Sequence, residues 1–175
     1  MRKELEKILS NVNDWLKFAE TKNAGLLVFN SAAVAGILQS YKVTETNLVL
    51  FKGMMLVGFM VSICISLYTF LPVLDKTFTY RKIDEAEFER QKDALNCYFF
   101  KHHSQINCQQ LLVLIKHKAG NPMETHTTID QDIADQIINN AEIAVSKFRL
   151  FTWAAYITFA GVVMALAMIL SQLFH

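Results

Sequence analysis

Apolar residues recur every three or four positions from the start of the chain, at Leu5, Ile8, Leu9, Val12, Trp15, Leu16 and Ala19. That spacing places one apolar face on a helix, with Lys7, Ser10, Asn11, Asp14, Lys17 and Thr21 on the other side. No Pro or turn signal separates it from a run free of Asp, Glu, Lys and Arg at Asn23 to Tyr41, and membrane helices tolerate Gly25. The pattern predicts one helix over Lys3 to Tyr41, with a cytoplasmic amphipathic part (1–22) and a spanning part (23–41). Two more charge-free runs follow, Gly53 to Val73 and Leu150 to Phe174. About 20 residues at roughly 1.5 Å each cross a hydrocarbon core of about 30 Å, so all three runs are long enough.

The far end repeats the plan in mirror image. Thr128 and Gln131 resemble a capping box, and Ile133, Ile137, Ala141, Ala144 and Phe148 form a second apolar stripe that leads into the last run. Between these stalks, Leu71-Pro72 ends the second run, and Asp84 with Glu87 can cap a helix reaching to about Lys101. Phe88, Leu95, Tyr98 and Phe99 supply its packing side. A further helix is expected over Gln105 to Lys118, and Gly120-Asn121-Pro122 makes a loop. The expected fold is an all-α membrane protein with three transmembrane helices (23–41, 53–73, 150–174). Two long helices extend into a cytoplasmic helical bundle that includes segment 74–149, and oligomers are expected.

Composition agrees: of 175 residues 53% are hydrophobic, and only six Gly and two Pro punctuate the chain. Charge fixes orientation. Arg2, Lys3, Lys7, Lys17 and Lys22 precede the first run, most other cations lie between Lys76 and Arg149, and none follows Arg149. The positive-inside rule then places the N-terminus and segment 74–149 in the cytoplasm. A net charge of +1 and the absence of an Arg-rich stripe leave no footprint for nucleic acid. No phosphate-cradling loop, nucleophile elbow or paired-carboxylate constellation is present, so neither an enzyme nor a cofactor is expected.

Three Cys form no CxxC pair, which argues for free thiols. Cys97, His102, His103 and Cys108 make the one metal-like cluster. Its spacing matches no common zinc module, and adjacent His side chains on a helix point about 100° apart, so no metal is assigned. Within the runs, Asn30, Ser31, Ser62 and Ser66, with Thr158, either hydrogen-bond between helices or line a polar seam once several copies assemble. Ala32 with Gly36 and Gly161 with Ala165 permit close helix approach. Near the inner face, Trp15, Glu20, Lys22, Asn23, Arg81, Lys82, Gln136, Asn140, Lys147 and Arg149 are candidate ligand-binding residues, although a solvated positive collar accounts for the cations alone. Gln136 and Asn140 share a helical face, and an amide pair beside a cation can read a nucleobase edge and a phosphate.

Two segments are familiar. Trp15-Leu16-Lys17-Phe18-Ala19-Glu20-Thr21-Lys22-Asn23-Ala24 resembles the W-x-x-[FY]-A-[DE]-x-K-x-[AG] opening of the Pycsar effector transmembrane family. Gln136 to Phe148 resembles that family's Q-I-x-x-[NS]-A-x-I-[AS]-x-x-K-[FY] segment before its final span. The resemblance implies a bacterial antiphage effector, multi-pass in the inner membrane. A companion cyclase makes cyclic CMP or cyclic UMP, and the effector responds by impairing the membrane and causing abortive infection. Implied partners are the lipid bilayer, the cyclic pyrimidine mononucleotide and further copies of the chain as a homo-oligomer. The chain departs from a two-domain plan in having no separate cyclic-nucleotide-binding β-roll, so recognition would have to be built from helices. The alternative reading is a non-conducting membrane adaptor that recruits a cytoplasmic partner, and a constitutive small-ion channel is a third.

Overall fold

The computed structural model describes residues 1–40, 46–71, 81–120, 123 and 125–173. Most of these are helical, with no strand among them. The elements are α1 (Arg2–Gln39), α2 (Thr46–Tyr68), α3 (Glu85–Gln91), α4 (Phe100–His103), α5 (Cys108–Lys118) and α6 (Thr128–Leu173). The chain divides into two compact units. The first takes Met1–Ala19 and Val73–Lys147, the second Glu20–Pro72 and Phe148–His175.

The expected long helix is present: α1 is 38 residues without a break, and α6 is 46. Its buried positions include Leu5, Val12 and Ala19 on one seven-residue register and Asn23, Asn30 and Ile37 on another. A seven-residue repeat is the signature of a helix that keeps one seam against a partner helix. In the first unit Arg2 Nε donates to Asp130 Oδ1 at 2.7 Å, and Asn140 Nδ2 donates to Asn13 Oδ1 at 2.8 Å. Both pairings advance in the same direction, so α1 and α6 run parallel there, 128 and 127 positions apart in sequence. In the second unit Thr158 and Asn30 pair across 128 positions.

The first unit buries Leu5, Ile8 and Val12 of α1 with Phe88, Phe100, Ile106, Leu111, Leu112, Leu114 and Ile115, and with Ala134, Ile137, Ala141 and Ala144 of α6. Fully burying one such Leu or Ile contributes roughly 1.5–3 kcal/mol, so this is an ordinary water-excluding core. Caps explain the boundaries. Asp84 caps α3 by accepting the Glu87 N–H at 2.7 Å, as expected. The helix stops at Gln91 rather than near Lys101. Asn96 accepts the Tyr98 N–H with its side chain at 2.8 Å and gives its own N–H to His102 Nδ1 at 2.9 Å, a local pattern that competes with helix. Asn107 and Gln110 form a reciprocal capping box, so α5 begins at Cys108 rather than Gln105. Gly120, at φ 69, supplies the left-handed residue just past α5.

The capping box of α6 lies one residue earlier than the sequence suggests. Asp130 Oδ2 accepts the Thr127 N–H at 2.8 Å, and Thr127 Oγ1 accepts the Asp130 N–H at 3.3 Å. Arg2 closes the same corner from α1.

Among the described residues two helices are long and apolar enough to cross a membrane, Val49–Tyr68 within α2 and Thr128–Ser171 within α6. Their most hydropathic windows are 28% and 17% buried, so their apolar faces point outward instead of forming a core. Val57, Phe159, Leu166 and Leu170 are examples, joined by Val28 of α1. Inside the second unit, Ile37, Met55 and Phe59 pack with Ala33, Val34, Leu56, Val162, Met164 and Ala165. The second helix starts before the charge-free run, at Thr46, and so includes Lys52. That ammonium is buried and donates to the Ser40 carbonyl at 2.7 Å, satisfying backbone just past α1. After Tyr68 the chain turns through Thr69 to Leu71; Pro72, expected to end the helix, lies outside the described residues, as do Tyr41, Asn121 and Pro122.

Candidate functional site

In the second unit one polar node joins three helices. Asn30 of α1 donates through Nδ2 to Ser62 Oγ of α2 at 2.8 Å, and Thr158 of α6 donates to Asn30 Oδ1 at 2.9 Å. Ser62 Oγ–H donates to the Ala154 carbonyl at 3.0 Å, and the Ser62 and Thr158 oxygens approach to 2.9 Å. A hydroxyl has one hydrogen, so this assignment uses each donor once. All three side chains are buried. Of the sequence-predicted seam, then, Asn30 and Ser62 meet. Ser66 is buried one turn further along α2, its hydroxyl without a hydrogen-bond partner among the described residues. Ser31 and Gly36 face outward: Ser31 donates back to Leu27 C=O at 2.8 Å, and a Cβ built on Gly36 meets nothing within 4 Å. The other small-residue pair is used. A Cβ at Gly161 would stand 3.0 Å from the Phe59 ring, so that glycine seats the ring against α6.

The ten candidate ligand-binding residues divide between the units. In the first, Trp15 stacks on Phe100 with ring centroids 5.1 Å apart. Lys82 donates to Glu142 and to the carbonyls of Ser104 and Ile106, at 3.2 and 3.1 Å. This cation holds the turn before α5 onto α6. Asn140 pairs with Asn13, Arg81 and Gln136 are exposed, and Lys147 is buried. In the second, Lys22 lies 5.5 Å from the Phe151 ring centroid, Asn23 is buried, Glu20 is half-buried and Arg149 is exposed.

The first unit also holds a concavity of about 270 Å³ where α1, the segment after α3 and the end of α5 meet. Ile8, Ile115 and Ala119 supply apolar lining, and Glu4, Tyr98, Cys97 and Lys118 supply polar groups. A second hollow shares Cys97, Tyr98 and Lys118. The polar groups are held in place. Tyr98 OH donates to Glu4 Oε2 at 2.8 Å, the Lys7 ammonium lies 5.0 Å from the Tyr98 ring centroid, and Lys118 donates to the Asp93 carbonyl at 2.7 Å. His117 Nε2 contacts the Asp93 carboxylate at 2.7 Å, which holds that carboxyl below its usual range.

The family model for the Pycsar effector protein domain matches residues 4–174. The chain belongs to the Pycsar effector domain family. No curated protein and no solved structure matches it. Family membership assigns an antiphage effector role, and together with the two outward-facing apolar helices it makes this a membrane protein.

The metal-like cluster of this Pycsar effector is not assembled. Among the described residues no three His, Cys, Asp or Glu side chains stand together as ligands. Instead His102 accepts from Asn96, Cys108 Sγ donates to the Gln131 carbonyl at 3.7 Å, Cys97 lines the concavity and His103 is fully buried. Burial pushes the Cys108 thiol up to about 11, with Asp135 adding to it, and burial raises Cys97 as well. Thiols in such surroundings are poor nucleophiles. Burial also drives His103 down to about 4; the Cys97 backbone beside it does not reach hydrogen-bond geometry with either ring nitrogen.

Sequence reading missed Glu4, Tyr98 and Lys118. They sit on separate elements, and no motif links them. It also missed Glu142 as the anion for Lys82, although a lone carboxylate beside an alanine stripe was a visible signal.

Proposed function

We propose that this Pycsar effector senses a cyclic pyrimidine mononucleotide made by a companion cyclase and impairs the bacterial inner membrane, halting the host before phage release. In this reading 23–41 crosses the bilayer with α2 and the second half of α6, the N-terminus is cytoplasmic, and copies assemble as a homo-oligomer. The observation that carries it is that α1 and α6 are each one unbroken helix contributing to both units. A ligand that prefers one packing of the first unit therefore biases the helices that enter the second. Moving the population from mostly closed to mostly open takes about 5.5 kcal/mol of differential binding, which several sites in an oligomer supply more readily than one. Three helices are too few to enclose water, which supports assembly.

The test is dye release from proteoliposomes carrying the full chain, with cyclic CMP and cyclic UMP added separately. Release on addition of either nucleotide is expected. Intact vesicles with both, at saturating nucleotide, overturn the proposal.

A further inference from the structure

The concavity in the first unit brings an apolar floor together with a carboxylate, a phenol and an ammonium. We propose that a cyclic pyrimidine mononucleotide binds between Glu4, Tyr98 and Lys118, and that the amino-bearing base, cytosine, is preferred over uracil. The inference rests on the nucleotide-sensing reading above and adds the site and the base.

Size comes first. At about 270 Å³ the hollow falls just below the range of small-ligand pockets, roughly 300–1,000 Å³, which suits one nucleotide and excludes two. Its lining has the composition such sites share, an apolar floor with few convergent polar groups. Ile8 and Ile115 offer that floor to a flat ring. Lys118 presents the ammonium a phosphate needs, and its bond to the Asp93 carbonyl leaves two of three N–H donors for other acceptors.

Glu4 decides the base. Its carboxylate accepts one hydrogen bond from Tyr98, and an ionised carboxylate offers about four acceptor sites and no donor. Cytosine carries an exocyclic amine that donates to a carboxylate, whereas uracil carries a carbonyl oxygen at the same position. A carboxylate facing that oxygen is repelled. Glu4 and Ile8 also lie in the first turns of α1, so occupancy bears directly on a helix that contributes to both units.

Isothermal titration of the full chain in nanodiscs tests this with cyclic CMP and cyclic UMP as the probes. Cyclic CMP is expected to bind at least about 10-fold tighter. Lys118→Ala weakens both ligands by about 10-fold or more. Glu4→Gln weakens cyclic CMP and tightens cyclic UMP, because the amide can donate to the keto oxygen, so the preference narrows or inverts. Both residues are at least partly exposed, and an unchanged melting temperature confirms that the variants fold. Wild-type binding with equal or reversed base preference, or variants that bind like wild type, overturns this site while leaving the nucleotide-sensing reading standing. No binding of either nucleotide by the wild type overturns both.

Discussion

Replacing Thr158 by Val keeps the side-chain shape in the second unit and removes one hydrogen. Asn30 Oδ1 then loses the donor it has at 2.9 Å, inside a buried cluster where water does not substitute. Interhelical polar contacts in membranes average about 0.6 kcal/mol and reach about 1.7. A buried acceptor left without a donor costs about 1–3 kcal/mol. Thr158→Val is therefore expected to destabilise the second unit by about 1–2 kcal/mol. Asn30→Leu removes the acceptor of Thr158 and the donor to Ser62, but Ser62 still donates to the Ala154 carbonyl and Thr158 can turn to Ser62 at 2.9 Å, so it is expected to cost about 1 kcal/mol. The double variant removes both partners and leaves apolar groups of matching shape, so it should cost about 1 kcal/mol less than the two single effects added together. The assay is unfolding in mixed micelles by a denaturing detergent, followed by Trp153 fluorescence in a Trp15→Phe background so that the second unit alone reports. Additivity within about 0.3–0.5 kcal/mol would show that these side chains are independent and refute the node.

Glycine substitutions separate the two small-residue pairs. Gly161→Ala forces the Phe59 ring to move from a 3.0 Å contact and should destabilise by about 1–3 kcal/mol, whereas Gly36→Ala meets open space and should be neutral or stabilise by up to about 1 kcal/mol; equal melting shifts would contradict the packing. Asp130, held down at about 2 by the Thr127 backbone and Arg2, contributes stability that is complete above its unfolded value near 4 and is lost as pH falls toward 2. Asp130→Asn should flatten that acid limb in pH-dependent melting, and an unchanged limb would speak against the corner. His103 has a folded value near 4 against 6.5 unfolded, so stability is complete above 6.5 and falls as pH drops through 4, by at most roughly 3 kcal/mol. His103→Leu should remove the loss between pH 6.5 and 4, and its persistence would place the titrating group elsewhere.

Several helix limits that the sequence suggested shifted when the chain folded, each for a local reason. The helix expected to reach Lys101 ends at Gln91, and beyond it Asn96 accepts the Tyr98 N–H and gives its own N–H to His102, a pattern that competes with helix; Thr127 took the cap that had been expected at Thr128. Asn30, Ser62 and Thr158 were visible as polar residues in apolar runs, but their meeting was not, because it depends on the rotation of three helices about their own axes.

The character of each helix is written in its local sequence. Periodicity and the exclusion of charge are properties of a few neighbouring residues, so the amphipathic halves, the apolar runs and the family motifs were legible at Leu5 to Ala19, Trp15 to Ala24 and Gln136 to Phe148. Tertiary structure alone decided which residues share a partner. Asn30 with Thr158, Lys82 with Glu142 and Glu4 with Tyr98 are separated by 128, 60 and 94 positions, and such pairs follow from helix register and packing depth, which no local pattern encodes.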